Sequence, residues 1–139
     1  MFEVDNSRHL VLIKEPSDSI HAVILVRKYA EELGFDSIQQ SNIATAVSEL
    51  ATNIIRYAGK GNIHIQSVHS EGKIGIQVVA EDTGPGIEDP ERAMAEQYST
   101  GNSLGLGLPG VKRMMDQFEM GSSPGKGTRI LISKWRDIS

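Results

Sequence analysis

The sequence contains no cysteine, which excludes a disulfide framework, a thiol nucleophile and a cysteine zinc site, and leaves nothing to tie it to an oxidising compartment. Basic runs are also absent. No stretch of Lys or Arg exceeds two residues, and 14 Lys+Arg against 18 Asp+Glu give a formal charge of −4, so the electrostatic footprint of a nucleic-acid binder is missing. Long apolar runs are lacking too: stretches such as Val23 to Val26 fall far short of a bilayer span, and Met1 to Asn6 has neither the basic nor the apolar region of a signal peptide. There is no internal repeat and no low-complexity tail. These absences predict a cytoplasmic protein with no nucleic-acid and no membrane partner.

What is present suits one soluble domain over residues 1–139, since 39% hydrophobic and 23% charged residues are ordinary globular values. His9 to Lys14 reads as a strand stopped at Glu15-Pro16. Ser17 and Asp18 then offer N-cap chemistry for a helix over 18–33, with Gly34 beyond its end. Asp36 and Ser37 cap a second helix ending near Tyr57, whose Ile43, Val47, Leu50 and Ile54 follow offsets of four, three and four along one stripe. Asn62 to Val68 and Lys73 to Glu81 form a hairpin about Ser70-Glu71-Gly72, and the run Val78-Val79-Ala80 suggests burial on both faces. A polar stretch follows to about Ser103, with a helical turn or two around Pro90 to Gln97. Leu104 to Phe118 has helical periodicity, Gly121 to Gly127 reads as a loop, and Thr128 to Trp135 as a last strand. The order predicts an α+β fold, a two-layer sandwich with helices on one face of a mixed, mostly antiparallel sheet.

Three segments carry chemistry. Glu49 and Asn53 stand four residues apart and project from one side of the second helix. With Ile43 at zero and about 100° per residue, the apolar stripe spans roughly −20° to 40° and this pair lies near 240° and 280°, bordering the core without belonging to it. Asp82-Thr83-Gly84-Pro85-Gly86 ends a buried strand in a turn that lets backbone approach a ligand. There the Asp82 carboxylate could accept a hydrogen bond from the exocyclic amine of adenine, which guanine, with a carbonyl at that position, cannot donate. Gly101-Asn102-Ser103-Leu104-Gly105-Leu106-Gly107-Leu108 runs into a helix, presenting free N–H groups and a positive dipole end to an anion such as phosphate. It is not a Walker A loop, because no Gly-Lys-Ser/Thr closes it. Alone, the first segment reads better as a solvated helix pair and the second slightly better as a plain β-turn, and a flexible connector explains the third almost as well.

Together and in this order they resemble the GHKL (Bergerat-fold) ATP-binding superfamily, the N box at Glu49 to Asn53, the G1 box at Asp82 to Gly86, the G2 box at Gly105 to Leu108 and the closing Gly-Thr at Gly127-Thr128. Tyr57-Ala58-Gly59-Lys60-Gly61, Ala80-Glu81-Asp82 and Gly107-Leu108-Pro109-Gly110-Val111-Lys112-Arg113 are most similar to the small anti-sigma regulatory kinases, in particular the RsbT-type switch kinases of the bacterial stressosome. The resemblance implies an ATP-dependent protein serine/threonine kinase with Mg²⁺. It implies Asn53 as metal ligand through its amide oxygen, Glu49 as acceptor of the proton from the attacking hydroxyl, and Asp82 as reader of adenine with Thr128 in support. Gly84 and Gly86 would shape the pocket, Gly105, Leu106, Gly107 and Leu108 would border the phosphates, and Gly101 to Leu104 would belong to a short ATP lid. The partners implied are STAS-domain scaffold and antagonist proteins and a PP2C-type phosphatase target. No Lys or Arg occurs between Ala93 and Val111 to neutralise the γ-phosphate, which leaves Lys112, Arg56 or a partner's residue. The alternatives are an anti-sigma factor kinase of the RsbW/SpoIIAB type, a non-catalytic nucleotide-dependent binding module, and an ATPase acting on water. His9, His21, His64 and His69 lack metal-ligand spacing, and Trp135 and Met114-Met115 read as packing residues.

Overall fold

The computed structural model describes residues 8–84, 107–123 and 125–137. Local chemistry decides where the two long helices begin. Pro16 occupies the first position of α1 (Pro16–Glu32), where its fixed φ suits the helix and its missing N–H is no loss. Glu15 is therefore the N-cap in place of the expected Ser17 or Asp18, and Asp18 reaches back, Oδ2 accepting from the Glu15 N–H at 3.1 Å. Helix α2 (Ser37–Ala58) starts on a reciprocal pair: Asp36 Oδ1 accepts from the Gln39 N–H at 2.7 Å, and Gln39 Oε1 accepts from the Asp36 N–H at 3.1 Å. It stops at Gly59, whose φ of 84° few other residues tolerate.

Five strands follow the order β1-β2-β3-β5-β4, and every neighbouring pair is antiparallel. They are β1 (His9–Ile13), β2 (Gly61–Ser70), β3 (Lys73–Asp82), β4 (Gln117–Ser123) and β5 (Gly127–Asp137). Between β2 and β3, Glu71 and Gly72 take φ values of 47° and 77°, the two-residue hairpin loop that matches strand twist.

The second half departs from the pattern read in the sequence. Helix α3 (Gly107–Met114) ends four residues before Phe118, and much of the expected Gly121–Gly127 loop is strand β4. Asp116 turns the chain into the sheet, its N–H donating to the Ser133 carbonyl at 2.9 Å and its Oδ2 accepting from the Trp135 N–H at 2.8 Å. Phe118 and Met120 then pack on the core two residues apart. Phe118 also fits a helical period counted from Met114 and Met115, which is why the strand was hidden. The expected turns around Pro90 to Gln97, and Leu104 to Leu106, lie outside the described residues.

The helices cover one face of the sheet. Ile63, Ile65, Ile74, Ile76, Val78, Ala80, Ile130 and Ile132 are buried there under α1, α2 and α3. Val79 is only half-buried between buried Val78 and Ala80, so the expected burial on both faces gives way to ordinary alternation. On the open face Trp135 lies over Gly75, where a Cβ would stand 2.8 Å from the indole ring. On the helical side Lys134 Nζ donates to the Met114 carbonyl at 2.8 Å, satisfying a free carbonyl at the end of α3.

The Asp36–Gln39 box predicts that Asp36→Ala lowers stability by about 1 kcal/mol, with Asp36→Ser close to the parent. Urea unfolding measures this; equal midpoints for Asp36→Ala and the parent would show that the box contributes nothing in solution.

Candidate functional site

The last turns of α2 and the ends of β3 and β5 meet in a narrow cleft. Leu50, Asn53, Ile54 and Tyr57 project from one side of the helix toward Ala80 and Asp82 of β3 and Thr128 and Ile130 of β5. Asn53, Asp82 and Thr128, three residues expected to serve one ligand, thus line one cavity. Asp82 and Thr128 are direct cross-strand partners, so their side chains rise from the same face side by side. The described residues enclose only about 10 Å³ there, and an adjoining cleft of about 380 Å³ shares Asp82 and Thr128 and adds Ser122, Lys126 and Gly127. A ligand seated on Asp82 would therefore extend into the wider cleft.

Glycines make this convergence possible. Asp82 Oδ1 accepts from the Gly84 N–H at 3.0 Å, a local turn that holds the carboxylate in place. A Cβ on Gly84 would come within 2.5 Å of Ala58 Cβ, so this glycine lets the end of β3 press against the end of α2. Gly127 has φ of 92°, and a Cβ there would fall on the Asp82 carbonyl oxygen. Its bare backbone brings Thr128 alongside Asp82.

Glu49 lies deeper than the angular estimate implied, only 2% exposed. The correction has a plain cause: α2 is flanked by α1 and α3 as well as by the sheet, so the buried arc widens to include Ala44, Ala46, Glu49 and Ala51. Asn53, one turn further on, is half-buried at the cleft. Gly107 opens α3 with φ of 56°, whereas the Leu108 side chain belongs to the hydrophobic core. Gly86, Gly101, Gly105 and Leu106 lie outside the described residues. Lys112 is exposed in the second half of α3, away from Gly107, and Arg56 is exposed in the last turn of α2, three residues past Asn53.

Residues 15–134 match the histidine kinase-like ATPase domain. The serine/threonine-protein kinase RsbT of Bacillus subtilis is 48% identical over 130 residues, covering 94% of this chain and 98% of that one. The anti-sigma F factor of Caldanaerobacter subterraneus is 32% identical over 139 residues, 96% of each chain. The chain belongs to the histidine kinase-like ATPase family. Within that family it stands with the protein serine/threonine kinases, since identity to the kinase exceeds identity to the anti-sigma factor, 48% against 32%. The fold is shared more widely. The RsbU and RsbW domains of a Mycobacterium tuberculosis protein superpose with a TM-score of 0.63 at 14% identity, over 94% of this chain and 33% of that one. The mycobacterial sensor histidine kinase MprB gives 0.53 at 17% identity, over 94% and 99%.

In this member of the histidine kinase-like ATPase family, two residues join the site that the sequence reading passed over. Tyr57 lines the cleft with Asn53, and the spacing of four that paired Glu49 with Asn53 would have found it. Ser122 shares a 2.8 Å hydrogen bond with the Thr128 hydroxyl and also donates to the Gly127 carbonyl at 3.2 Å. Only recognition of β4 as a strand could have placed it there. Among the described residues no group of three His, Asp or Glu could cage a metal ion.

Because Gly127 touches Asp82 through backbone alone, Gly127→Ala is expected to cost about 2 kcal/mol or more from strained φ and the clash together. Thermal unfolding with and without ATP checks this: the variant should melt lower and lose the rise in Tm on adding nucleotide. A parental Tm would show that the close approach is not needed.

Proposed function

We propose that this cleft binds ATP and that the chain transfers its γ-phosphoryl group to a serine or threonine of a partner protein. The observation that supports the reading is the meeting of Asn53, Asp82 and Thr128, from three separate elements, in one cavity. Asp82, held by the Gly84 N–H through one oxygen, has its other oxygen to accept from the adenine amine. Thr128, oriented by Ser122, assists from the neighbouring strand. In this reading the N-terminus of α3 at Gly107, preceded in sequence by Gly105 and Leu106, would receive the phosphates.

Mg²⁺ fits the donor set without being caged by it. A half-buried amide oxygen at Asn53 is a hard ligand, and Mg²⁺ commonly takes only one or two protein ligands, with phosphates and water supplying the rest. When bound, the ion would offset phosphate charge. Glu49, one turn from Asn53 on α2, would accept the proton of the attacking hydroxyl. Burying a carboxylate is costly, and a helix face that served only packing would carry an apolar residue in its place. Nucleotide binding alone does not require a base at that position. The partners proposed are a STAS-domain scaffold or antagonist as phosphate acceptor and a PP2C-type phosphatase engaged after release, all in the cytoplasm. A phosphoserine adds about −1.5 to −2 charges, which this acidic chain, at −4, would repel from its surface.

Asp82→Asn keeps an acceptor for Gly84 but turns the group facing adenine into a donor. Calorimetric titration should then show ATP affinity reduced about 30-fold or more, and an unchanged Kd would remove Asp82 from the site. Chemistry is tested separately. Glu49→Gln should bind Mg-ATP within about two-fold of the parent yet transfer phosphate about 10²-fold more slowly, while Asn53→Ala should lose the Mg²⁺-dependent part of nucleotide affinity. Parental transfer by Glu49→Gln would leave the cleft a nucleotide site with its base elsewhere.

A further inference from the structure

A second cleft opens on the other face of the sheet at the same end. Strand alternation builds it. Leu12, Asn62 and Glu81 are cross-strand neighbours in one row, and their side chains face away from the helices because Ile13, Ile63 and Ala80 point inward. Two residues toward the sheet end, the same alternation places Lys14, Lys60 and Thr83 as the next row. These six residues line a cavity of about 240 Å³ with the backbone of Gly61 and Asp82. Since Ile13 pairs with Gly61, Lys14 and Lys60 stand opposite each other across the ends of β1 and β2. Like charges so placed repel.

Among the described residues neither ammonium group makes an ion pair, and the carboxylate beside Lys14, that of Asp18, accepts from the Lys14 backbone N–H at 2.9 Å. Glu81, the nearest outward carboxylate in the cleft, lies 3.7 Å from His64 Nε2, and the Asp82 carboxylate lines the helical-side cleft and holds the Gly84 N–H. Neither reaches Lys14 or Lys60 as an ion pair. The cavity thus offers two cations with no ion pair among the described residues, the amide of Asn62, the hydroxyl of Thr83 and the apolar side of Leu12, which is 51% exposed, with the Glu81 carboxylate at its edge turned to His64.

We infer that Lys14 and Lys60 form a docking site for a carboxylate-bearing segment of a partner protein, an Asp or Glu flanked by an apolar residue that rests on Leu12. Volume favours a side chain over a nucleotide, because about 240 Å³ is below the roughly 300 to 1,000 Å³ of small-molecule pockets. Position distinguishes it from the narrow cleft as well: Asn53 and Thr128 lie on the helical face, and Asp82 alone is common to those two linings, while the wider cleft meets this cavity at Glu81, Asp82 and Thr83. Extended nucleic acid is disfavoured by the net charge of −4. That the segment belongs to a phosphate-accepting partner rests on the kinase reading; the existence of the cation pair does not.

The probe is a short Glu-Leu-Glu-Glu peptide titrated into the full chain without nucleotide and followed by amide chemical shifts. Shifts should centre on Lys14, Lys60, Asn62 and Thr83, and affinity should fall about five-fold or more between about 50 and 500 mM salt. The Lys14→Gln/Lys60→Gln variant should lose the peptide shifts while its unfolding midpoint and ATP affinity stay at parental values, and Lys14→Arg/Lys60→Arg should keep them. Two controls take inorganic phosphate and Mg-ATP in place of the peptide. Shifts scattered over the surface, equal binding by the Gln variant, or stronger binding of phosphate than of peptide would overturn the proposal. So would Mg-ATP shifts at Lys14 and Lys60 that match those at Asn53, which would make the lysines part of the nucleotide site. Failure of ATP to bind at all would count against the kinase reading alone, since the peptide titration contains none.

Discussion

The pairing of β3 with β5 is the contact on which the site depends. The two strands are distant in sequence, and their antiparallel register runs from Lys73 opposite Asp137 to Asp82 opposite Thr128. A slip of one residue would send every side chain of one strand to the wrong face, placing Glu81 or Thr83 where Asp82 now stands. Register is secured at both ends of this pair. Trp135 fits over Gly75 near one end, and Gly127 closes on the Asp82 backbone at the other. Both contacts need a glycine, and neither is available in a shifted register.

Helix α2 is the second constraint, and it explains why a polar pair can sit beside a core. Its apolar residues seal the sheet, while α1 and α3 flank it on either side. Only the last turns, from Asn53 to Tyr57, reach past the packed layer to the end of the sheet where Asp82 and Thr128 emerge. The helix therefore acts as a ruler. Glu49 falls one turn inside the packed region and is buried, Asn53 falls at its edge and is half-buried. The same spacing of four that makes them neighbours puts one in the packed interior and the other at the solvent edge.

Legibility in the sequence followed how local the responsible interactions are. Helix α2 was readable because Asp36, the four-three-four stripe and Gly59 are all encoded within its own length, and the β2–β3 hairpin because its loop residues are adjacent. That Asn53, Asp82 and Thr128 would converge was readable for a different cause: with Glu49 and Gly127 they form an ordered set whose meaning lies in a family resemblance, not in the period of any one segment. Strand β4 was unreadable locally. Met115, Phe118 and Met120 satisfy periods near two and near three and a half, and the choice is made by Asp116 binding the Ser133 carbonyl and the Trp135 N–H, partners far along the chain. The depth of Glu49 was likewise hidden, because a single-helix projection cannot know that two further helices cover its flanks.

Period-two alternation at the end of β3 allows two chemistries within three residues. Asp82 faces the helices and the narrow cleft with Asn53 and Thr128, while Glu81 and Thr83 face the open side beside Lys14 and Lys60. Their side chains leave the strand on opposite faces, although all three residues border the wider cleft at the strand end. Such divergence requires that the neighbouring strand ends stay close to β3. Gly61 meets that condition on the β2 side as Gly127 does on the β5 side, since a Cβ there would fall on the Glu81 carbonyl oxygen and within 2.9 Å of Ile54. Both neighbours of β3 thus close on it through bare backbone at the point where its side chains diverge, and the residues that fix this divergence bear no functional group of their own.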